Sequence, residues 1–85
     1  MSSVEIYTTM FCPYCSRAKS LLKSKGVHFK EIDVTSDLNG RKEMSRLSGG
    51  ATSVPQIFIN GQHIGDCDYI HKLDAAGKLD PLLQP

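Results

Sequence analysis

Polar and β-favouring apolar side chains alternate in two parts of the chain, and a third part is β-prone; each of the three predicts β-structure. Residues 4–8 (Val-Glu-Ile-Tyr-Thr) alternate clearly. Residues 27–34 form a second run, although its alternation breaks at Glu31-Ile32. In residues 57–64 two β-prone runs flank Asn60-Gly61, the pair typical of a two-residue type I′ hairpin. Four strands are therefore predicted, and the last two form a hairpin.

Helical spacing of apolar residues follows the first strand. Residues 16–25 are rich in helix formers, and one face of this segment carries Cys15, Ala18, Leu21 and Leu22. Gly26 supplies the left-handed position that commonly ends a helix. A strand–helix–strand unit of this length predicts that the first two strands pair in parallel through a right-handed crossover.

The second helix has a weaker pattern. Residues 35–37 (Thr-Ser-Asp) offer N-caps, and the amphipathic segment runs from Arg41 to Leu47. Met44 and Leu47 are its predicted buried residues. The helix is expected to end at the glycine pair 49–50.

The third helix is predicted to start after Asp66 or Cys67 and to run to Ala76 before Gly77. The tail, residues 79–83, is apolar enough to fold back as a short turn or helix. The element order is therefore β-α-β-α-β-β-α. This order predicts an α/β fold with a four-stranded mixed sheet flanked by helices.

Length and charge narrow the possible functions. The 85 residues suit a single domain spanning residues 1–85, and 40% hydrophobic residues argue against disorder. Ten basic and nine acidic residues without charge runs favour neither nucleic acid nor a membrane surface as a partner. The N-terminus shows no secretory signal, and three cysteines suit a reducing compartment. We expect a cytoplasmic monomer.

The sequence Cys12-Pro13-Tyr14-Cys15 lies between the first strand and the first helix. Cys12 then precedes the first turn, and Pro13 occupies an early helical position where its missing N–H costs nothing. Unpaired backbone N–H groups and the positive end of the helix dipole face the Cys12 sulfur. That environment favours the thiolate, which is the reactive form of cysteine.

A zinc site and a permanent structural disulfide are two other possible uses of this cysteine pair. Structural zinc usually requires a second pair of ligands, but only Cys67 remains and the three histidines lack finger spacing. A permanent disulfide across two residues gains little from loop closure. Thiol–disulfide chemistry is therefore favoured and no metal is expected, with zinc storage by Cys12, Cys15 and a histidine as a distant alternative.

Four stretches together resemble a known family. They are Cys12-Pro-Tyr-Cys15, Ser53-Val54-Pro55, the hairpin segments Gln56–Ile59 and His63–Gly65, and the tail Leu73–Leu83. This combination resembles the glutaredoxins, specifically the small bacterial dithiol kind. The resemblance covers nearly the whole chain and implies the thioredoxin-like fold.

The resemblance also implies roles for the reacting residues. Cys12 is expected to be the nucleophile that attacks a disulfide or a glutathionylated cysteine. Cys15 is expected to be the more buried resolving thiol, and Tyr14 to flank a glutathione groove with its ring. From the sequence alone, Pro55 would be assigned a trans bond, as most X-Pro bonds are. The resemblance instead implies a cis bond that faces the thiols.

Further positions are implied to bind glutathione. The backbone of Val54 would pair with the cysteine portion of glutathione, as an added strand pairs with a sheet edge. Ser53 stands where a threonine is more usual and keeps the hydroxyl. Cys67 and Asp68, at the start of the third helix, would receive the γ-glutamyl carboxylate and ammonium. Cys67 is expected to be a small filler rather than a redox group.

The chain departs from the family pattern at several positions. Thr9 and Ala51 stand where many relatives have basic residues that face the glycine carboxylate of glutathione. Asp66 replaces the second residue of the usual Gly-Gly pair, and Tyr69 replaces a common Asp. The sequence leaves open which other basic residue takes over the glycine contact, the candidates being Arg41, Lys42, Arg46 and Lys19.

The implied activity is glutathione-dependent reduction of protein disulfides and glutathione mixed disulfides. Glutathione would be a cosubstrate, with no bound cofactor. Expected partners are glutathione, disulfide-bearing or glutathionylated proteins and, indirectly, the glutathione reductase system. Two alternatives remain: reduction by thioredoxin reductase, and a [2Fe–2S] scaffold across a dimer. Pro13 argues against the scaffold, because cluster-binding relatives more often have a smaller residue there.

Overall fold

The computed structural model describes residues 2–84 and contains one four-stranded sheet. The strands lie in the order β2-β1-β3-β4, and β1 pairs in parallel with β2 and antiparallel with β3. Their bounds are β1 Val4–Thr8, β2 Phe29–Asp33, β3 Gln56–Ile59 and β4 Gln62–Gly65. The predicted mixed sheet and the parallel pairing of its first two strands are confirmed.

Positive φ angles of 53° at Asn60 and 79° at Gly61 confirm the predicted hairpin turn between β3 and β4. A type I′ turn needs positive φ at both central residues, and Asn and Gly adopt this conformation most readily. This turn fixes the antiparallel pairing of β3 with β4.

Residues 2–84 contain four helices beside the sheet: α1 Pro13–Ser24, α2 Leu38–Leu47, α3 Cys67–Ala75 and α4 Leu79–Leu83. The tail thus forms a short helix after α3. No helix among residues 2–84 has the length and apolar character needed to cross a membrane.

Helix α2 differs from its prediction in two ways. It begins at Leu38 rather than Arg41, because the Asp37 side chain caps it by accepting the N–H of Gly40 at 2.9 Å. Leu47 was predicted to be buried, and this is wrong, since it is 42% exposed. Only one turn of this short helix reaches the sheet, and Met44 fills that contact.

The core lies on both faces of the sheet, because successive strand residues point to opposite faces. On one face Ile6 and Ile57 pack with α1, α3 and α4. On the other face Tyr7 and Phe58 pack with Met44 of α2. The carboxyl end of β1 therefore lies beside the start of β3, where Tyr7 pairs with Gln56. This edge of the sheet brings together the Cys12–Cys15 motif, which follows β1, and the Ser53–Pro55 segment, which precedes β3.

Candidate active site

Cys12 is the N-cap residue of α1, as the position of Pro13 predicted. Its backbone is extended, and its sulfur accepts the N–H of Cys15 at 3.2 Å. The sulfur thus occupies the position that a Ser or Asp oxygen takes in an ordinary N-cap. The side chain is partly exposed. A hydrogen bond from a helix N-terminus stabilises a negative charge on this sulfur.

Cys15 lies in the first turn of α1 and is only 2% exposed. Burial raises the pKa of the Cys15 thiol to about 12, and its contact with the side chain of Cys12 acts in the same direction. Neither cysteine is in a disulfide. The two thiols of the motif are therefore unequal: that of Cys12 is partly exposed and caps the helix, and that of Cys15 is buried and protonated at neutral pH.

The Val54-Pro55 peptide bond is cis, as the family resemblance implied. The carbonyl oxygen of Val54 lies 4.0 Å from the Cys12 sulfur. Pro55 is buried, whereas Val54 is partly exposed. The backbone of Val54 consequently borders the Cys12 sulfur.

A cleft of about 180 Å³ adjoins Val54, and we call it the α3 cleft. Its lining residues are Tyr14, Ser53, Val54, Pro55, Asp66, Cys67 and Asp68. Six of these seven are the residues that the sequence resemblance assigned to glutathione, and the structure brings them to one place. The guanidinium of Arg17 lies over the Tyr14 ring, 5.9 Å from its centroid, and so supports this wall of the cleft.

The start of α3 forms the far wall of the α3 cleft. Asp66, absent from the predicted site, is the N-cap: its carboxylate accepts the N–H of Tyr69 at 3.0 Å. Cys67 is 2% exposed, and burial raises the pKa of its thiol. Its position in the core agrees with the expectation that it fills space. Asp68 is exposed, and its carboxylate is available to a ligand.

Comparison with known proteins agrees with this geometry. The family model described as Glutaredoxin matches residues 4–64. The chain belongs to the glutaredoxin family. It is 57% identical over 84 residues to Glutaredoxin 3 of Escherichia coli K12, covering 99% of this chain and all of that protein. It is 53% identical to a Pseudomonas aeruginosa glutaredoxin, with 98% of each chain covered.

Solved structures of glutaredoxins share the fold. The buckwheat glutaredoxin–glutathione complex matches with a TM-score of 0.86 and 30% identity, over 96% of this chain and 76% of that one. The solution structure of a glutaredoxin from Brucella melitensis matches with a TM-score of 0.84 and 49% identity, over 96% and 88% of the two chains. These likenesses confirm the thioredoxin-like glutaredoxin fold.

This glutaredoxin has a second cleft, of about 380 Å³, which the sequence reasoning did not identify. We call it the β2 cleft, and its lining residues are Thr9, Met10, Phe11, Cys12, Pro13, Cys15, Ser16, Lys19, Glu31 and Asp33. The one sequence feature that could have indicated this cleft is the position of Lys19, four residues after Cys15. Its partner Glu31 lies where the alternation of the second strand breaks, so the pattern did not indicate it.

Each charged residue that lines the β2 cleft has a hydrogen-bond partner. The Lys19 ammonium lies 2.9 Å from a carboxylate oxygen of Glu31, and the buried hydroxyl of Thr8 donates to the same oxygen at 2.8 Å. The bond from Lys19, with that from Thr8, lowers the pKa of Glu31. Asp33 accepts bonds from the backbone and side chain of Thr35, which lower its pKa.

The four basic candidates for the glycine contact have different surroundings. Lys19 is paired with Glu31, and Arg46 is paired with Glu43 on α2. Arg41 instead donates to the backbone carbonyl of Thr52 at 3.1 Å, and Lys42 lies beside it in a surface groove. Arg41 takes part in none of the ion pairs among residues 2–84.

The part of the chain that the structure describes contains no group of three or more His, Cys, Asp or Glu side chains arranged to hold a metal ion. Two of the histidines bond groups outside the cysteine pair. His63 bonds Gln56 at 2.7 Å, and His71 bonds the carbonyl of Cys67 at 2.8 Å.

Proposed function

We propose that the chain is a glutathione-dependent thiol–disulfide oxidoreductase that reduces glutathione mixed disulfides and protein disulfides. The observation that carries the proposal is the inequality of the two thiols. Cys12 is partly exposed and caps α1, whereas Cys15 is buried within the same turn. Such a pair separates a nucleophile from a resolving group.

In the first reaction the Cys12 thiolate attacks the glutathione sulfur of a mixed disulfide. A bond forms between Cys12 and glutathione, and the substrate leaves as a thiolate that takes up a proton from solvent. The thiolate of a second glutathione then attacks the sulfur of the glutathione bound to Cys12. Glutathione disulfide is released and Cys12 is regenerated. The N–H of Cys15 stabilises the anionic Cys12 at the start and end of this cycle.

Protein disulfides require the second thiol. Cys12 attacks one sulfur of the substrate and forms a mixed disulfide with the protein. Cys15 then attacks the Cys12 sulfur, so that the Cys12–Cys15 bridge forms and the reduced product leaves. Glutathione reduces the bridge afterwards, and the glutathione reductase system would recycle the glutathione disulfide.

We assign the α3 cleft to glutathione. The open N–H and C=O groups of Val54 suit the extended cysteine portion of the peptide. The N-terminus of α3 suits the γ-glutamyl carboxylate, and the exposed carboxylate of Asp68 suits its ammonium group. The Tyr14 ring and the Ser53 hydroxyl flank this position. The glutathione-bound buckwheat relative supports the assignment by fold likeness.

The glycine carboxylate is assigned to Arg41. Lys19 and Arg46 already have carboxylate partners, so binding there would exchange one ion pair for another. The bond from Arg41 to the Thr52 carbonyl holds its guanidinium two residues before Val54. Two extended residues span about 7 Å, which matches the reach from the cysteine portion of glutathione to its glycine end.

The two cysteine variants test the division of labour in a hydroxyethyl-disulfide assay with glutathione, followed by an assay with a protein disulfide. Cys12→Ser is expected to abolish both activities. Cys15→Ser is expected to retain deglutathionylation and to lose reduction of the protein disulfide. Equal losses in both variants and both assays would contradict the proposed roles. Replacing glutathione by thioredoxin reductase and NADPH decides between the two electron donors.

A further inference from the structure

The charged residues of the β2 cleft have no part in the reaction as described above, yet they lie beside both reacting sulfurs. Lys19, Glu31, Cys12 and Cys15 all line this cleft. Lys19 follows Cys15 by four residues on α1, and residues so spaced are neighbours on a helix surface, with Cβ atoms about 6 Å apart. The lysine is thus one helical turn from the buried thiol.

The Lys19 ammonium is held in this cleft rather than extended into solvent. Glu31 binds it at 2.9 Å, and the Lys19 side chain is 28% exposed. Glu31 is itself fixed by the Thr8 hydroxyl, which is 1% exposed at the end of β1. The strand and the helix that flank the cysteine motif therefore both contribute to the position of this cation.

A positive charge near Cys15 would favour the resolving step, in which Cys15 reacts as a thiolate. Cys15 must lose its proton to attack Cys12, and burial opposes the loss. A cation one helical turn away favours the thiolate. Burial has the largest effect on the pKa of Cys15 and raises it, whereas a backbone hydrogen bond at Thr9 and the positive charge of Lys19 both lower it. Of the other charged residues lining the cleft, Glu31 and Asp33 are negative, and both have hydrogen-bond partners.

We propose that Lys19 is the cation that stabilises the Cys15 thiolate while the Cys12–Cys15 disulfide closes, and that Glu31 and Thr8 position it. In this step Cys15 releases its proton to solvent in the cleft, and its thiolate forms a bond with the Cys12 sulfur. The bond between Cys12 and the outgoing sulfur breaks, and the leaving thiolate takes up a proton. The inference rests on the proposed function, because it concerns the second half of the dithiol route.

The test follows a single turnover of the reduced protein with glutathione disulfide, quenched by acid at successive times and analysed by mass. The glutathionylated intermediate forms first and is then lost as the internal disulfide closes. Lys19→Gln is expected to slow closure about three- to tenfold, as befits one partly screened charge at this range. Lys19→Arg is expected to restore most of the rate, because it keeps the charge.

Two further variants test whether closure depends on the charge of Lys19 in particular. Glu31→Gln retains an oxygen that can accept from Lys19 and Thr8 but removes the negative charge, so closure is expected to be no slower than in the parent protein. Lys23→Gln removes an exposed positive charge two turns after Cys15 on the same helix, and closure is expected to be unchanged.

Each outcome has one meaning. Equal closure rates in Lys19→Gln and the parent protein would overturn the role of Lys19. Equal slowing in Lys19→Gln and Lys19→Arg would also overturn it, because the positive charge would then not be what speeds closure. Failure of the parent protein to form any intermediate with glutathione would instead contradict the proposed function itself.

Discussion

The α3 cleft and the β2 cleft both adjoin the cysteine motif, but they are built from different chemistry. The α3 cleft offers the backbone of Val54, a helix N-terminus and two aspartates, and no basic side chain lines it. The β2 cleft offers a lysine and a glutamate that bond each other, with the glutamate also bonded to Thr8 of β1, and an aspartate bonded to Thr35. The α3 cleft suits the backbone of a peptide, and the β2 cleft is the one proposed to affect the charge of Cys15.

Under the proposed function, glutathione binding and closure of the Cys12–Cys15 disulfide are assigned to different clefts. A ligand in the α3 cleft meets Val54, beside the Cys12 sulfur, and never needs to contact Cys15. The β2 cleft reaches Cys15, whose proton decides when the internal disulfide forms. Changes in one cleft should therefore alter affinity for glutathione, and changes in the other should alter the dithiol route.

The largest expected effect is on the chemical reactivity of the two thiols. At pH 8, a pKa of about 12 leaves on the order of one Cys15 in 10,000 as thiolate, and the thiolate fraction rises about tenfold with each pH unit. Iodoacetamide is therefore expected to alkylate Cys12 at least about 100-fold faster than Cys15 in the reduced protein. Peptide mass analysis after timed quenching measures both rates. The Cys12→Ser variant, which shows Cys15 without its competitor, serves as the control. Similar rates at pH 8 would remove the inequality on which the comparison depends.

A smaller effect is expected from the wall of the α3 cleft. Asp68→Asn removes the charge assigned to the glutathione ammonium and should raise KM for glutathione about five- to tenfold, with kcat nearly unchanged. Glu5→Gln on β1 is the matched control, since that carboxylate lines neither cleft. Steady-state kinetics over a range of glutathione concentrations measures both constants. A fall in kcat at unchanged KM would mean that this cleft also affects the chemical step.

The smallest effect is expected from Arg41. Arg41→Gln should raise KM for glutathione about two- to threefold, because an exposed ion pair contributes only about 0.5 kcal/mol. The effect should diminish as salt concentration increases, since screening weakens such pairs. Lys42→Gln, one residue further along α2, is the control. An unchanged KM in Arg41→Gln with a raised KM in Lys42→Gln would transfer the glycine contact to Lys42.

Much of the fold could be predicted because local signals and tertiary packing agree. Asn60-Gly61 adopts the positive φ angles that its turn requires, and Cys12 caps α1 where Pro13 indicated. Helix α2 shows where local signals fail. Its first turn lacks a clear apolar pattern, so the cap by Asp37 was the better indicator of its start, and Leu47 remained exposed because only one residue reaches the core.

The two clefts were not equally predictable. The residues of the α3 cleft belong to short motifs that can be read along the chain, and they converge because β3 pairs with β1. The β2 cleft depends on the register of β2 against β1, which places Glu31 within reach of both Thr8 and Lys19. Register is a property of strand pairing, and a broken alternation such as that at Glu31-Ile32 leaves it undefined in sequence.

The capping bond of α1 has a consequence for the timing of the reaction. An anionic sulfur holds the Cys15 amide firmly, whereas a sulfur joined to glutathione has lost its charge and holds it weakly. Formation of the mixed disulfide therefore weakens the capping bond of the turn that carries the second thiol, just before that thiol must attack.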